Sequence, residues 1–430
     1  MRISVIGCGY LGAVHAACMA DLGHTVVGID TDQAKVDLLS SGSAPFFEPG
    51  LPELLSAPHG RLRFTTSIKE ASGASVHFIA VGTPQIAGGN AADLSYVDAA
   101  IEALLPHIAP GHLVVGKSTV PVGTAARLAE RVATTGARLV WNPEFLREGF
   151  AVSDTISPDR IVYGIAADDH TSVPQLDEVY AAPLSTGLPR IVTDYATAEL
   201  VKVSANAFLA TKISFINAMA EIAEATGADV TTLADAIGHD VRIGRRFLNA
   251  GMGFGGGCLP KDIRAFQARA DELGLSSTLA FLGHMDQINL RRRERAVQLV
   301  IDELGDLGGR RVVMLGLAFK PDSDDVRDSP ALEVARRLHA LGALVVATDP
   351  EAIPSSRRSA PELDYDPDVR TALRDADAIV LATEWPQFRS LDPVEVASWT
   401  TARVIIDGRN YLDADAWRAA GFTYRGMGRF

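Results

Sequence analysis

An apolar run, Ile3–Ile6, leads straight into Gly7-Cys8-Gly9-Tyr10-Leu11-Gly12, and this hexapeptide constrains the fold more than any other segment. Glycines at this spacing turn a strand sharply into a helix and leave room for a pyrophosphate at the helix N-terminus. The surroundings agree. Val14–Leu22 lies on a helix, and Thr25–Ile29 is a second strand ending at Asp30. An acid at that point meets the adenosine ribose of a bound dinucleotide and repels a 2′-phosphate, so the cofactor expected is NAD. Cys8 and Cys18 are read as small packing residues.

Strand–helix alternation continues through Val76–Val81, Leu113–Lys117 and Arg138–Trp141, and a doubly wound sheet is complete by about Thr193. From Ala196 to Ala225 apolar residues recur at helical spacing, with Gly227 as a C-cap. Further helical stretches run up to Asn289. Such a segment either links two α/β domains and supplies a subunit interface, or caps the first domain. Alternation restarts near Gly308: Val312–Gly316, Leu344–Thr348, Ala378–Thr383 and Val404–Asp407 read as four parallel strands without a second glycine fingerprint. This second sheet is therefore expected to bind something other than another dinucleotide in the usual way. The fold class is α/β, with two doubly wound Rossmann-like domains joined by a helical segment with a long central helix. The expected domains are 1–195, 196–305 and 306–430.

The chemistry points to Cys258, in Gly253-Phe254-Gly255-Gly256-Gly257-Cys258-Leu259-Pro260-Lys261-Asp262. The glycines are expected to let a ligand approach the backbone. Pro260 suits the first turn of a helix. A thiol just ahead of a helix N-terminus and beside Lys261 has its thiolate stabilised. A dinucleotide site combined with a nucleophilic cysteine suggests an oxidation that continues past the aldehyde. Hydride leaves a tetrahedral adduct, which a thiolate makes from an aldehyde.

Several weaker motifs accompany it. Gly82-Thr83-Pro84 and Lys117-Ser118-Thr119-Val120-Pro121 end parallel strands, where α/β sheets bind ligands. Thr83 and Thr119 read equally as ligand contacts or as turn hydroxyls. Glu144, in Asn142-Pro143-Glu144-Phe145-Leu146-Arg147-Glu148, is a candidate general base, although a loop glutamate by itself is more often solvated. Lys202 and Asn206, four apart on the long helix, share a face and suit an alkoxide. Arg242, Lys320, Arg327 and Arg409 are basic residues near loops or strand ends, each an ordinary surface charge if taken singly.

Composition sets bounds. A net charge of −13 disfavours broad nucleic-acid or anionic-membrane binding but leaves room for an anionic small molecule in a local basic pocket. Three cysteines make no disulfide framework, and no Cys/His cluster suggests a metal. No uninterrupted apolar stretch suits a membrane span, and Met1-Arg2-Ile3 running into a strand gives no sign of a signal peptide. A cytoplasmic enzyme is expected.

Taken in order, these motifs resemble the UDP-glucose 6-dehydrogenase family, within the wider nucleotide-sugar dehydrogenases. The resemblance spans essentially the whole chain, from the glycine fingerprint through Arg242-Ile243-Gly244 and the cysteine motif to Ala318-Phe319-Lys320, Asp325-Val326-Arg327 and Asp407-Gly408-Arg409. It implies oxidation of UDP-glucose at C6 to the carboxylate with two NAD⁺. In that scheme Lys202, Asn206 and Asp262 surround the C6 oxygen. Cys258 forms a thiohemiacetal and then a thioester, and Glu144, with Thr119 nearby, assists its hydrolysis.

The resemblance also implies the binding sets. Cofactor contacts fall to Gly7, Gly9, Tyr10, Leu11, Gly12, Asp30, Lys35, Gly82, Thr83, Pro84, Thr119, Glu148, Lys261 and Arg327. Substrate contacts fall to Phe145, Leu146, Arg147, Glu148, Lys202, Asn206, Arg242, Phe247, Leu248, Asn249, Gly255, Phe319, Lys320 and Arg409. Arg242 reaches a neighbouring subunit, so a homodimer or larger is expected. Val203 and Asn249 depart from many relatives without touching the chemistry. Rival readings are a GDP-mannose or UDP-N-acetylmannosamine dehydrogenase, a two-electron 3-hydroxyacid dehydrogenase, and an NAD-sensing binding protein. The last two leave Cys258 without a task.

Overall fold

A computed structural model of the chain describes residues 1–58 and 60–429. It divides into two compact units, Met1–Ala205 with Arg264–Leu275, and Asn206–Ile263 with Ser276–Phe430.

The first unit is built on an eight-stranded sheet: β1 (Arg2–Ile6), β2 (Thr25–Ile29), β3 (Leu62–Thr65), β4 (Val76–Ile79), β5 (Leu113–Gly116), β6 (Arg138–Trp141), β7 (Ile161–Ile165) and β8 (Arg190–Asp194). The order is β3-β2-β1-β4-β5-β6-β7-β8. The central strands β4 and β5 are buried along their whole length, as strands covered on both faces of a largely parallel sheet are. β3, β7 and β8 add to the strands expected from the sequence. β3 is short and only half-buried, and β8 is an exposed edge, so neither carries the apolar signature of a central strand. β7 runs antiparallel to β6 through the pair Trp141–Gly164, while β7 and β8 are parallel, so the sheet is mixed rather than wholly parallel.

The second unit holds a six-stranded sheet: β9 (Arg311–Leu315), β10 (Leu344–Thr348), β11 (Asp364–Tyr365), β12 (Ala378–Leu381), β13 (Val404–Asp407) and β14 (Thr423–Gly426), in the order β11-β10-β9-β12-β13-β14 and parallel throughout. The four expected strands are its centre, and the short edges β11 and β14 were not legible.

The long helix runs Tyr195–Thr226 and ends at Gly227, whose φ of +75° and N–H bond to the Ala223 carbonyl form the expected cap. The last long helix, Ala280–Leu304, continues well past Asn289. Its Arg292 and Arg293 are almost fully buried. Arg292 is paired with Glu224, and Arg293 with Asp328 and Glu333. Buried charge is tolerated only when paired in this way.

Cys8 and Cys18 are buried, and burial pushes each thiol up to about 12, so both are inert packing residues. His77, on β4, is also buried, in a hydrogen-bonded chain from Ser4 Oγ (2.8 Å) through its ring to His112 Nδ1 (3.0 Å). Burial, and secondarily the neighbouring His112, lowers its pKa from 6.5 to about 3. Between those two values the unfolded chain binds a proton that the folded one refuses, so stability falls as pH drops from 6.5 towards 3. At about pH 5 this residue alone removes about 2 kcal/mol. His77→Gln is expected to flatten the decline in melting temperature between neutral pH and about pH 5. A variant whose melting temperature falls as steeply as that of the parent overturns this assignment.

Candidate active site

The first unit gathers its candidate residues on the carboxyl ends of β2, β1, β4, β5 and β6, five strands adjacent in the sheet. The order in which strands are added reverses between parallel β1 and β4, the point at which open α/β sheets form a ligand crevice.

The glycine loop divides its labour. Gly7 has φ +88°, and a Cβ on Gly12 would lie 1.7 Å from the Gly7 carbonyl oxygen, so both glycines are demanded by the turn itself. A Cβ on Gly9 would meet nothing within 4 Å. Its bare backbone serves no packing purpose and faces open space ahead of the helix Tyr10–Asp21, which fits a pyrophosphate. Asp30 Oδ2 accepts from the Cys8 N–H (2.8 Å) and the Lys35 ammonium (2.9 Å), and Oδ1 accepts from the Asp32 N–H (3.0 Å). The carboxylate thus closes the loop and keeps lone pairs for a ribose, with Lys35 at its side.

The Tyr10 hydroxyl donates to Glu48, a buried carboxylate that also accepts from the N–H groups of Gly149 (2.7 Å) and Val152 (3.2 Å). Leu11 is half-buried at the start of the same helix, and Glu148 is buried.

Thr83 and Thr119 come together: the Thr83 hydroxyl donates to the Thr119 carbonyl oxygen at 2.8 Å. The Thr83 hydroxyl thus braces the Thr119 loop, flanked by exposed Gly82 and Pro84.

Glu144 is half-buried and engaged on both carboxylate oxygens. Its Oε1 accepts from the N–H groups of Phe145 (2.7 Å) and Leu146 (3.1 Å), and its Oε2 meets the buried Lys117 ammonium at 2.9 Å. Phe145 lies beneath two cations, with the Arg160 guanidinium 3.9 Å and the Lys202 ammonium 5.6 Å from its ring centre. Arg147 is held bidentately by Asp154 (2.9 and 2.6 Å) and is exposed.

In the second unit Cys258 is an exposed thiol at the N-cap of the helix Leu259–Glu272, its carbonyl accepting from the Asp262 N–H at 2.9 Å. Asp262 is buried. It accepts from Asn206 Nδ2 at 2.7 Å and from the Lys261 ammonium at 2.6 Å, one donor to each carboxylate oxygen. The Lys261 side chain is thus committed to Asp262.

The glycine run before Cys258 departs from expectation. It is bare chiefly because the protein itself presses on it. A Cβ on Gly253 would meet Asn289 Oδ1 at 2.3 Å, and one on Gly255 would meet the Asp328 carbonyl oxygen at 2.2 Å. A Cβ on Gly256 would meet the Phe319 ring at 2.8 Å, and one on Gly257 the Arg327 guanidinium at 2.4 Å. Asn289, fully buried, clasps the Phe254 backbone from both sides, accepting from its N–H (2.7 Å) and donating to its C=O (3.0 Å). Arg293 donates to the same carbonyl (3.1 Å), and Arg409 Nη1 to the Gly253 carbonyl (2.8 Å). These contacts fix the segment that presents the thiol.

Arg327 is bound bidentately by Asp325 (2.9 and 2.8 Å), Arg242 likewise by Asp240 (3.0 and 2.6 Å), and the Lys320 ammonium lies 5.7 Å over Phe319. Phe247 holds φ +65°, a strained conformation for an aromatic residue, beside buried Leu248 and exposed Asn249. Arg245 anchors that stretch through Leu248 O (3.0 Å) and Asn249 Oδ1 (2.7 Å).

The second sheet explains its missing fingerprint. Asp349, at the end of β10, accepts from the N–H groups of Leu317 (2.7 Å) and Ala318 (3.1 Å) in the loop after β9. A side-chain carboxylate thus occupies loop amides of the kind that a dinucleotide's phosphates would seek.

Lys117, Glu48, Arg160, Asn289 and Arg293 were not singled out by sequence. Only Lys117 left a trace, as a charge closing the apolar run Leu113–Gly116.

Comparison with known proteins agrees with these features. Three models of the UDP-glucose/GDP-mannose dehydrogenase family match: its NAD binding domain over residues 1–183, its central domain over 196–291 and its UDP binding domain over 313–414. The UDP-glucose 6-dehydrogenase of Rhizobium meliloti is 41% identical over 436 residues, covering all of both chains. Among solved structures, a UDP-glucose dehydrogenase from Pyrobaculum islandicum superimposes with a TM-score of 0.91 at 40% identity, covering 100% of this chain and 98% of that one. A UDP-D-ManNAc dehydrogenase from Pyrococcus horikoshii reaches 0.86 at 27% identity, covering 100% and 99%. The chain belongs to the UDP-glucose/GDP-mannose dehydrogenase family.

Proposed function

We propose that this chain oxidises UDP-glucose at C6 to UDP-glucuronate, in two NAD-dependent steps through a thiohemiacetal and a thioester on Cys258. The observation that carries it is the exposed Cys258 thiol at a helix N-cap, one turn ahead of the Asp262 carboxylate that Asn206 and Lys261 hold. The higher identity to UDP-glucose dehydrogenases than to the UDP-D-ManNAc enzyme, and the Arg242-Ile243-Gly244 segment, favour glucose as the sugar.

NAD, when bound, accepts a hydride at each oxidation. Gly7, Gly9, Gly12 and Asp30 would hold it, with Tyr10, Leu11, Lys35, Gly82, Thr83, Pro84, Thr119, Glu148, Lys261 and Arg327 as further contacts. Lys202 and Asn206 would bind the C6 oxygen, and Asp262, fixed by two donors, would pass protons by way of a water. The Cys258 sulfur attacks the aldehyde carbon, and loss of hydride from that adduct leaves a thioester. Glu144 takes a proton from the water that hydrolyses it. Phe145–Glu148, Phe247–Asn249, Gly255, Phe319, Lys320 and Arg409 would hold the nucleotide sugar. The functional domains would be 1–195, 196–305 and 306–430, binding NAD, forming the subunit interface and binding the UDP sugar.

A homodimer in the cytoplasm completes the proposal. The long helix exposes Phe208, Phe215 and Ile222, spaced seven apart on one face, an apolar stripe suited to a second copy. Arg242 projects from an exposed segment whose carbonyls at Ile243 (3.0 Å) and Gly244 (3.1 Å) are held by Lys212, a disposition that suits reaching a neighbouring subunit. The three cysteines are thiols, which a reducing compartment maintains.

Incubation with a panel of nucleotide sugars and NAD⁺ should give about two NADH per UDP-glucose, and the Cys258→Ser variant should abolish net turnover. Near-normal steady-state NADH production by that variant would remove the covalent role. Glu144→Gln should keep a burst approaching about two NADH per site and then stall with an acylated Cys258, its steady-state rate down by about 10²–10⁴-fold. Loss of the burst in a variant that still binds both ligands would assign Glu144 to an earlier step. Phe215→Glu should convert a dimer to a monomer by light scattering, and an unchanged mass would discard the stripe as the interface.

A further inference from the structure

Lys117 is the least expected side chain in the first unit. It closes β5, is buried, and its ammonium has three acceptors: Glu144 Oε2 at 2.9 Å, Asn142 Oδ1 at 3.1 Å and the Tyr180 hydroxyl oxygen at 3.2 Å. The acceptors are themselves locked. The Tyr180 hydroxyl donates to Asn142 Oδ1 at 2.7 Å, and Asn142 Nδ2 donates to the Val162 carbonyl at 2.9 Å, so the cluster spans β5, β6 and β7. Tyr180 is fully enclosed, and burial drives its phenol well above its ordinary range, so it stays a neutral hydroxyl. Asn142 and Tyr180 offer the ammonium only dipoles. Glu144 is the carboxylate that meets it. A buried lysine is costly unless it is paired and hydrogen-bonded, and here all three donors are used.

The pairing has a consequence for Glu144. Its Oε1 is aimed by two backbone N–H groups and its Oε2 by the lysine, so the side chain has one orientation and no freedom to rotate. We propose that Lys117 is a positioning residue for thioester hydrolysis, holding Glu144 so that its remaining lone pairs face the attacking water. This rests on the hydrolytic role assigned to Glu144 above. In the step concerned, water oxygen bonds to the thioester carbon and one water proton passes to Glu144. The carbon–sulfur bond then breaks, and sulfur leaves as thiolate and is reprotonated from Glu144. The net change is thioester plus water to carboxylic acid plus thiol, with no change of oxidation state. Lys117 exchanges no proton in it. Its charge and three donors keep the base where a misplacement of about 1 Å would cost about 10²-fold.

The test separates hydrolysis from hydride transfer. Lys117→Gln keeps hydrogen bonding to Asn142 and Tyr180 but removes the charge. With UDP-glucose and NAD⁺ it should retain a burst of about two NADH per site and an unchanged kcat/KM, while steady-state turnover falls by about 10- to 100-fold, KM falls with it, and Cys258 accumulates an acyl adduct by mass spectrometry. Lys117→Arg, with its charge kept, should recover part of that loss. The double variant E144Q/K117Q should be no slower than E144Q alone, because the lysine acts through the glutamate. A K117Q steady-state rate within about twofold of the parent, an additive double variant, or a burst lost in proportion to turnover would each overturn the proposal. If K117Q does not fold, Tyr180→Phe decides by the same split: an intact burst with turnover several-fold down supports it, and unchanged turnover overturns it. Normal turnover by E144Q would remove the reading of Glu144 and this inference together. A stalled E144Q beside a fully active K117Q removes the inference alone.

Discussion

Backbone N–H groups at the carboxyl edge of a parallel sheet need acceptors, and in this chain buried carboxylates repeatedly supply them. Asp30 takes the Cys8 N–H, Asp349 those of Leu317 and Ala318, and Glu199 those of Gly123 and Ala125 at the start of the helix Thr124–Ala133. Asp407, completely enclosed at the end of β13, accepts from the N–H groups of Arg409, Tyr411 and Leu412 and from the Tyr424 hydroxyl. Burial raises its pKa against the pull of those bonds. Leaving such donors unsatisfied would cost on the order of 1–3 kcal/mol apiece. The loops that carry the candidate residues are thus tied down by these carboxylates.

The same economy distinguishes the two sheets. In the first, Asp30 engages one N–H of the glycine loop and Gly9 stays bare, so the helix N-terminus keeps its capacity for an anion. In the second, Asp349 covers consecutive amides of the corresponding loop and also takes the Trp385 indole N–H at 3.1 Å. Two doubly wound sheets of similar construction thus differ in how far a strand-end carboxylate occupies the amides of the loop beside it.

Much of the architecture was legible. Central strands and the long helix announce themselves because burial on both faces, or on one helical stripe, imposes an apolar pattern on the chain itself. β3, β8, β11 and β14 were not legible because edge strands bury little, and the turn of β7 against β6 depends on which neighbour it meets. Among the candidate residues, Thr83 and Arg147 proved to be engaged by Thr119 and Asp154, whereas Lys117, Asn289 and Arg293 emerged as supports.

The sequence by itself determined the fold class, the dinucleotide loop and the cysteine ahead of a helix, since each is written in residues close together along the chain. Tertiary structure alone decided the partners of the buried charges that meet across the chain, unlike local pairs such as Arg242 with Asp240 or Arg327 with Asp325. That Lys117 meets Glu144, 27 positions away (144 − 117), or that Asn289 clasps Phe254, 35 positions away, follows from strand order and helix packing, which no local pattern encodes. It also decided why the residues before Cys258 are glycines: four different groups of the folded protein, arriving from distant parts of the chain, fill the space where their side chains would have been.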